Sequence, residues 1–501
     1  MNAQQYRINL NDTVPFRNNA AFCVGTGRMN LALRHEYHNQ LAKVQKDIGF
    51  SYIRGHGLFC DDMAVYHTYK ENGVEKEEYN FRYIDMVFDD YLALGIKPFV
   101  ELGFMPKQMA SGDQTVFYWK GNVTPPADYD KWARLVTAAV NHWINRYGRD
   151  EVISWPFEVW NEPNLAVFWK GADMDEYFKL YDVTSRAVKS CDQRIRVGGP
   201  AICGVDDERW MRCFLEFCLK NKAPLDFVTR HAYGTESPEA DGHYVYQKLR
   251  TPEEFMSEPR QSRGIIDSFP EYRGMEIHLT EFNTSYSPLN PIHDTNLNAA
   301  YVARLLSELG DVCVSYSYWT FGDVFEESGV SFTPFSGGFG LLANGMIPKP
   351  TYWTFVFYKD LYPTAAAKNE HFIVTKSDVN LRGIAWNPVE GRGDLPLRLL
   401  LDIKNGPYLL MIKTVDEITC NPLKTWLDMG SPTYPTQRQL DILKECSHPQ
   451  IITKRLEVTE GSVNIDILLT SNALIFFELQ RIEPETDRGF RPERIQGCRV
   501  S

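Results

Sequence analysis

Short apolar runs recur eight times along the first two-thirds of the chain, and each predicts a buried strand because β-branched and aromatic residues dominate it. The runs lie at residues 21–26, 52–57, 98–104, 156–162, 196–201, 227–233, 276–282 and 315–321. Apolar residues return at helical spacing between most of the runs, most clearly at 82–94, 129–146, 174–189 and 210–220. Eight strand–helix units predict an α/β fold, a (β/α)₈ TIM barrel over residues 1–346. A doubly wound sheet is disfavoured because no glycine-rich dinucleotide fingerprint follows the first run.

The pattern changes near residue 347. Seven runs, alternating or wholly apolar and mostly separated by turn residues, lie at 373–377, 381–386, 397–403, 408–414, 450–458, 462–469 and 473–479. They predict an antiparallel β-sandwich over residues 347–501, with which the first residues of the chain could pair. A helical stretch at 436–446 interrupts the sandwich. No catalytic constellation is evident in this region, so we expect it to support the barrel.

Composition and charge narrow the classes of partner. The 501 residues carry a net charge of −12 and show no basic stripe, which disfavours nucleic acid. No run of about 18 apolar residues occurs, so no membrane partner is expected. The N-terminus lacks a basic segment followed by an apolar one, and the ten cysteines are scattered, so we expect free thiols and a cytoplasmic location. No cofactor is expected, and no metal, because metal-ligand spacing is absent.

Two carboxylates are the strongest candidates for chemistry. Glu162 lies at the end of the fourth predicted strand and Glu281 at the end of the seventh. Because the C-terminal ends of barrel strands meet on one face, we expect both side chains in one pocket. Hydrolysis of a glycosidic bond needs such a pair, one carboxyl to protonate the leaving oxygen and one to attack or to activate water.

Further polar and aromatic residues fall near other strand ends: Arg54, His56, Glu101, Asn161, His231, Tyr233 and Trp319. Arg54 is expected to keep Glu281 ionised by charge pairing. A structural role is favoured for Glu101, while the two histidines and the tryptophan suit either a pocket or the core. Glu326 and Glu327 follow in the loop after the eighth strand, where spacing alone favours a solvated charge pair.

Longer motifs carry a resemblance. Trp-Asn-Glu-Pro-Asn at 160–164 and Leu-Thr-Glu-Phe-Asn at 279–283 look like the strand-4 and strand-7 signatures of retaining barrel glycosidases. Three more motifs narrow this resemblance to one family: Arg-Gly-His-Gly-Leu at 54–58, Thr-Arg-His-Ala-Tyr at 229–233 and Phe-Glu-Glu at 325–327. On these motifs the chain resembles glycoside hydrolase family thirty-nine, the β-xylosidase family, over nearly its whole length.

The resemblance implies a role for each matching residue. Glu162 corresponds to the general acid/base, Glu281 to the nucleophile, and Asn161 to the residue that holds the sugar 2-hydroxyl. The implied lining of the sugar pocket is His56, Phe117, Phe168, His231, Tyr233, Trp319, Glu326 and Glu327. The resemblance also favours a homo-oligomer.

The predicted function is that of a retaining exo-glycosidase, which removes terminal β-D-xylosyl residues from xylo-oligosaccharides by double displacement. Its partner is therefore an oligosaccharide or an aryl glycoside. Several alternatives stay open at this point: a β-glucosidase, an α-L-arabinopyranosidase, an iduronidase-like enzyme, an endo-acting xylanase or a non-catalytic sugar-binding barrel. The loops that select among these substrates match no motif.

Overall fold

The computed structural model describes residues 3–388, 393–484, 489, 491 and 494. Parallel strands form a closed ring around the core of the first domain, and the third position of the ring is split into two short strands. In ring order the strands are Cys23–Arg28, Tyr52–His56, Lys97–Pro98 with Val100–Leu102, Pro156–Val159, Arg196–Ile202, Phe227–Tyr233, Ile277–Asn283 and Ser315–Tyr318. Lys97–Pro98 pairs with the second strand and Val100–Leu102 with the fourth, which closes the ring. The predicted (β/α)₈ barrel is confirmed.

Helices cover the outside of this ring. They are His35–Asp47, Arg82–Ala93, Tyr129–Tyr147 with the short Arg149–Ile153, Met174–Cys191, Asp207–Asn221, Pro252–Asp267, Asn296–Leu309 and Pro350–Asp360. Several begin at side chains that accept hydrogen bonds from the first turn, as Asp128 does before Tyr129–Tyr147. Thr251 and Glu254 form a reciprocal capping box at the start of Pro252–Asp267.

The eighth barrel helix, Pro350–Asp360, lies beyond residue 346, where the sequence places the end of the barrel. Thr354 Oγ1 donates to the Ala299 carbonyl at 3.0 Å, and Tyr358 Oη donates to the Ala303 carbonyl at 2.5 Å. Both bonds join this helix to Asn296–Leu309. Its apolar residues are buried on all sides, so they show no amphipathic periodicity. We propose that the barrel domain extends through Asp360.

Two sheets form the second domain. The larger contains, in spatial order, Thr364–Lys368, Phe372–Lys376, Leu381–Trp386, Leu474–Arg481, Gly406–Val415 and Gln450–Val458. The smaller contains Gln4–Asn9, Leu395–Asp402 and Ser462–Leu469. Gln4–Asn9 runs parallel to Leu395–Asp402, and the other described pairings in the two sheets are antiparallel. Leu399 and Ile465 of one sheet share an apolar core with Phe372 and Phe477 of the other, so the predicted sandwich is confirmed.

Two helices, Pro422–Asp428 and Gln437–Glu445, interrupt the sandwich. The second corresponds to the predicted stretch and follows its N-cap residue Thr436, while the first was missed. Trp426 and Leu443 of these helices pack against Phe335 of the loop that follows the eighth barrel strand. The second domain therefore supports a loop of the barrel mouth.

Shorter elements complete the described chain. They are the hairpins Tyr66–Glu71 with Val74–Tyr79, Thr115–Val116 with Gly121–Asn122, Glu239–Asp241 with Tyr244–Tyr246 and Leu342–Ala343 with Ile347–Pro348, and the 3₁₀ turns Met29–Leu33, Asp61–Met63, Lys170–Ala172 and Pro291–Asp294. The nine cysteines within the described ranges are free, and Cys498 lies outside those ranges. None of the described helices is both long and apolar enough to cross a bilayer.

Candidate active site

The two candidate carboxylates meet at the C-terminal face of the barrel. Glu281 lies within the seventh strand, and Glu162 lies three residues after the fourth strand ends. Glu162 has a φ of 41°, a left-handed conformation that costs energy in a residue with a side chain and is typical of functional sites. One oxygen of each carboxylate and one ring nitrogen of His231 lie within 4.8 Å of one another. The two side chains therefore face each other in one pocket.

Four side chains lie around the Glu281 carboxylate, and the most distant is His231, whose Nδ1 is 3.5 Å from Oε2. Arg54 Nη1 lies 2.5 Å from Oε1 and His56 Nε2 lies 3.3 Å from the same oxygen, while Tyr233 Oη donates to Oε2 at 2.6 Å. Burial raises the pKa of Glu281 above its ordinary value, and Arg54, His56 and Tyr233 oppose that rise. The three contacts thus favour the ionised form that a nucleophile needs.

Glu162 has a different environment. Its Oε1 lies 2.8 Å from His231 Nδ1. Burial, followed by the charge of Glu281, raises the pKa of Glu162 well above its ordinary value. Burial and the charge of Arg54 lower the pKa of His231 well below its ordinary value, so the ring is neutral and cannot offset the burial of Glu162. The surroundings of the two carboxyl groups therefore differ in the direction that a protonated acid and an ionised nucleophile need, because Arg54, His56 and Tyr233 oppose the effect of burial at Glu281, while the charge of Glu281 adds to it at Glu162.

Arg54 connects the charged residues beneath the pocket. Its side chain has no exposed surface, and it contacts Glu158 Oε2 at 2.7 Å, Glu101 Oε2 at 2.9 Å and Glu281. It also donates from Nη2 to Asn161 Oδ1 at 3.0 Å. Burial lowers the pKa of Arg54, but the neighbouring carboxylates, Glu158 first, raise it above its ordinary value. Arg54 is therefore a permanent cation that orients both the Glu281 carboxylate and the Asn161 amide.

Glu158 is a site residue that the sequence analysis missed. It is wholly buried within the fourth strand and accepts a hydrogen bond from Thr280 Oγ1 at 2.8 Å. Its backbone lies in register with Glu101 of the neighbouring strand, and both side chains contact Arg54. The sequence did contain a signal for this pair, because Glu101 and Glu158 occupy equivalent positions on two consecutive predicted strands.

Aromatic rings line one side of the pocket. The His56 ring lies 4.7 Å from that of Trp319 and 6.0 Å from that of Phe117, measured between centroids. Phe117 in turn lies 5.3 Å from Phe168. Burial lowers the pKa of His56 to about 3, so its ring is neutral. The structure thus brings the four predicted lining residues together beside Glu281.

Glu326 and Glu327 occupy different environments. Glu326 is 4% exposed; Arg28 Nη2 lies 2.8 Å from its Oε2, and Arg34 pairs with its Oε1. A solvated pair, the expectation from spacing alone, is therefore wrong for Glu326. The half-buried Glu327 carboxylate has no hydrogen bond or ion pair to any described residue. Burial, followed by the charges of Glu281 and Glu162, raises the pKa of Glu327 well above its ordinary value, so Glu327 interacts electrostatically with both carboxyl groups.

The convergence of Glu162, His231 and Glu281 also fits the geometry of a metal site. Imidazole and carboxylate groups are common metal ligands. The His231 nitrogen, however, is already within hydrogen-bonding distance of Glu162, and the raised pKa of Glu162 favours a protonated group that makes a poor ligand. Hydrolysis by two carboxylates needs no metal.

A closed (β/α)₈ barrel with two opposed, buried carboxylates at its C-terminal face, one of them paired with arginine, defines a barrel glycoside hydrolase. The family described as "Glycosyl hydrolases family 39" matches residues 7–464. The chain belongs to this family and is a glycoside hydrolase.

Individual relatives agree with this assignment. The chain is 47% identical over 478 residues to the β-xylosidase of Geobacillus stearothermophilus, with 94% of each chain covered. A solved structure described as a monomeric β-xylosidase from Caulobacter crescentus has a TM-score of 0.88 and 33% identity, covering 96% of this chain and 100% of that one. Human α-L-iduronidase is 32% identical over 123 residues, which are 24% of this chain and 17% of that protein.

Proposed function

We propose that the protein is a retaining exo-β-xylosidase, which releases terminal β-D-xylosyl residues from xylo-oligosaccharides and contributes to xylan degradation. The observation that carries the proposal is the approach of Glu162 and Glu281, whose nearest oxygens lie within 4.8 Å. Retention requires carboxyl groups about 5–5.5 Å apart, while inversion requires about 6.5–9.5 Å to hold a water between them.

In the first step, protonated Glu162 donates its proton to the glycosidic oxygen as the bond to the anomeric carbon breaks. Glu162 Oε1 faces His231, so Oε2 is the oxygen left to carry that proton. Glu281 attacks the anomeric carbon from the opposite face, and an ester between the sugar and Glu281 forms. Arg54 orients the Asn161 amide, and we assign this amide to the sugar 2-hydroxyl on the strength of the family resemblance.

In the second step, water attacks the anomeric carbon and the ester bond breaks. Esterification has removed the charge of Glu281, and that charge is a cause of the raised pKa of Glu162. The pKa of Glu162 therefore falls when the intermediate forms, so Glu162 can act as the base that deprotonates the water. Release of the sugar regenerates ionised Glu281 and protonated Glu162.

The names of the close relatives support xylose as the terminal sugar. Glu327 supports cleavage at a chain end, because a carboxyl group without a partner among the described residues can exchange hydrogen bonds with the hydroxyls of a terminal residue. The two arginines near this loop already neutralise Glu326, so they are poorly placed to hold the carboxylate of a uronic acid.

Kinetics on a panel of aryl glycosides test this proposal. We expect the highest kcat/KM on the β-D-xyloside, above the β-glucoside, the α-L-arabinopyranoside and the α-L-iduronide. Xylotetraose should be shortened stepwise with release of xylose. Early xylobiose without xylose would identify an endo-acting enzyme, and a lack of turnover on every substrate would identify a non-catalytic sugar-binding barrel.

We also propose a cytoplasmic location and a homo-oligomer. Nine free cysteines in the described part of the chain support a reducing compartment. The family resemblance carries the proposal of self-association, while the solved relative from Caulobacter crescentus is described as monomeric. Fractionation of the source cells and light scattering of the purified protein test these two points separately.

A further inference from the structure

Glu101 is a buried carboxylate that the two-step mechanism does not use. It lies on the third barrel strand, and its side chain has no exposed surface. Its Oε2 lies 2.7 Å from His56 Nδ1 and 2.9 Å from Arg54 Nη2. The second nitrogen of the same ring, His56 Nε2, lies 3.3 Å from Glu281 Oε1. His56 therefore stands between two carboxyl groups, one of which is the nucleophile.

A neutral imidazole carries one N–H, so it can donate to only one of two neighbouring carboxylates. If Nδ1 held the proton and donated to Glu101, the bare lone pair of Nε2 would face the Glu281 carboxylate. If Glu101 holds a proton and donates a hydrogen bond to Nδ1, then Nε2 carries the ring hydrogen and its N–H faces the Glu281 carboxylate. Only the second arrangement makes a hydrogen bond at Nδ1 and also turns an N–H, rather than a bare lone pair, toward the Glu281 oxygen 3.3 Å from Nε2.

We propose that Glu101 is a positioning residue: as a neutral carboxylic acid it donates a hydrogen bond to His56 Nδ1 and so fixes the tautomer that holds the nucleophile Glu281. This inference rests on the proposed function, because it assigns Glu281 as the nucleophile. Glu101 acts only through His56 and the Arg54 contact, and it does not touch the substrate.

The surroundings of Glu101 agree with a neutral acid. The titratable groups that face it come from the two neighbouring strands with their loops and from the seventh strand: Arg54, His56, Cys60, Glu158, Glu162 and Glu281. Burial raises the pKa of Glu101 to about 7, although the charge of Arg54 lowers it. Glu101 therefore loses its proton on the alkaline side of neutrality. An ionised Glu101 can only accept a hydrogen bond from Nδ1, so the ring hydrogen of His56 then moves from Nε2 to Nδ1.

Two variants separate positioning from packing. Glu101→Gln keeps an N–H donor for His56 Nδ1 but cannot ionise, while Glu101→Met keeps the volume and has no donor. The substrate is an activated aryl β-xyloside, whose leaving group needs no proton from Glu162. We expect Glu101→Gln to keep kcat/KM within about tenfold of the wild type and Glu101→Met to lose about 10²-fold, the cost of a misplaced reacting group.

The pH profile gives the readout that a structural role would not change. Wild-type kcat/KM on the activated substrate should fall above neutral pH as Glu101 ionises, and Glu101→Gln should remove that fall. Asp85 is a matched control, because it pairs with His142 at 2.7 Å on the outside of the barrel. Asp85→Asn and Asp85→Met should leave the profile of kcat/KM as in the wild type.

The outcomes separate the two proposals. A wild type that does not hydrolyse xylosides overturns the proposed function. An active wild type with full activity in Glu101→Met, or with the same alkaline fall in Glu101→Gln, overturns the role of Glu101 alone. If Glu101→Met does not accumulate as folded protein, the pH profile of kcat/KM for Glu101→Gln still tests the role of Glu101.

Discussion

Arg54 Nη1 lies 2.5 Å from Oε1 of Glu281, and the guanidinium that makes this contact has no exposed surface. The candidate nucleophile is therefore tied to a buried cation that also contacts Glu158 and Glu101. Because the same cation donates to Asn161, one side chain aligns the attacking carboxylate and the amide expected at the sugar 2-hydroxyl. The buried carboxylates Glu158 and Glu281 are therefore compensated by the charge of Arg54.

Replacement of Arg54 tests this dependence. Arg54→Met leaves Glu158 and Glu281 buried without their cation, and breaking a buried pair in this way costs about 3–5 kcal/mol. We expect urea unfolding at neutral pH to show a free energy of unfolding lower by that amount. The deficit should shrink as pH falls, because protonation removes the uncompensated charges. Addition of Glu158→Met should recover part of the stability, and an unchanged free energy of unfolding in Arg54→Met would contradict the role of Arg54.

Glu162→Ala tests the assignment of the acid/base. Loss of the acid should slow xylosides with poor leaving groups by about 10²–10⁴-fold while activated aryl xylosides react nearly normally in the first step. Azide should restore turnover of the activated substrates and give a β-xylosyl azide, because it attacks the intermediate without a base. Equal losses on both kinds of substrate, with no azide product, would exclude Glu162 from this role.

Tyr233→Phe tests the electrostatics of Glu281. The Tyr233 hydroxyl donates to Glu281 Oε2 and lowers its pKa, so the variant should raise that pKa. Since the proposed mechanism uses Glu281 as an anion, the acid limb of the kcat/KM profile should move to higher pH. Tyr286 supplies a matched control, because its ring lies 6.2 Å from that of Tyr233 and it is 47% exposed. An acid limb that moves equally in Tyr286→Phe would disprove the explanation.

The two glutamates after the eighth strand should behave differently. Glu327→Gln should raise KM or lower kcat on xylo-oligosaccharides with an unchanged melting temperature, because its carboxylate has no partner among the described residues. Glu326→Gln should lower the melting temperature, because it releases Arg28 and Arg34. Paired measurements of kinetics and melting on both variants test this, and a thermal effect confined to Glu327→Gln would reverse the interpretation.

Much of the barrel was predictable because its strands are buried on both faces and produce continuous apolar runs. The eighth helix, Pro350–Asp360, was not, because residues such as Tyr352 and Phe357 are buried on opposite sides and leave no periodic polar face. The strand Gln4–Asn9 is partly exposed, and only its parallel partner Leu395–Asp402, far along the chain, defines it as a strand.

The candidate site likewise contains residues that the sequence predicts and contacts that it does not. Glu162 and Glu281 were predictable because each ends an apolar run at a known position in the barrel. The different environments of Glu326 and Glu327 were not, because their partners Arg28 and Arg34 come from the opposite end of the barrel sequence. Sequence spacing cannot report such contacts between distant loops.

Covalent trapping tests the central claim most directly. A 2-deoxy-2-fluoro-β-xyloside with a good leaving group slows both steps but the second more, so a glycosyl-enzyme should accumulate. We predict that peptide mapping by mass spectrometry finds one fluorosugar per chain, attached to Glu281. A label on another carboxylate, or a first product of inverted configuration with no covalent adduct, would contradict the account.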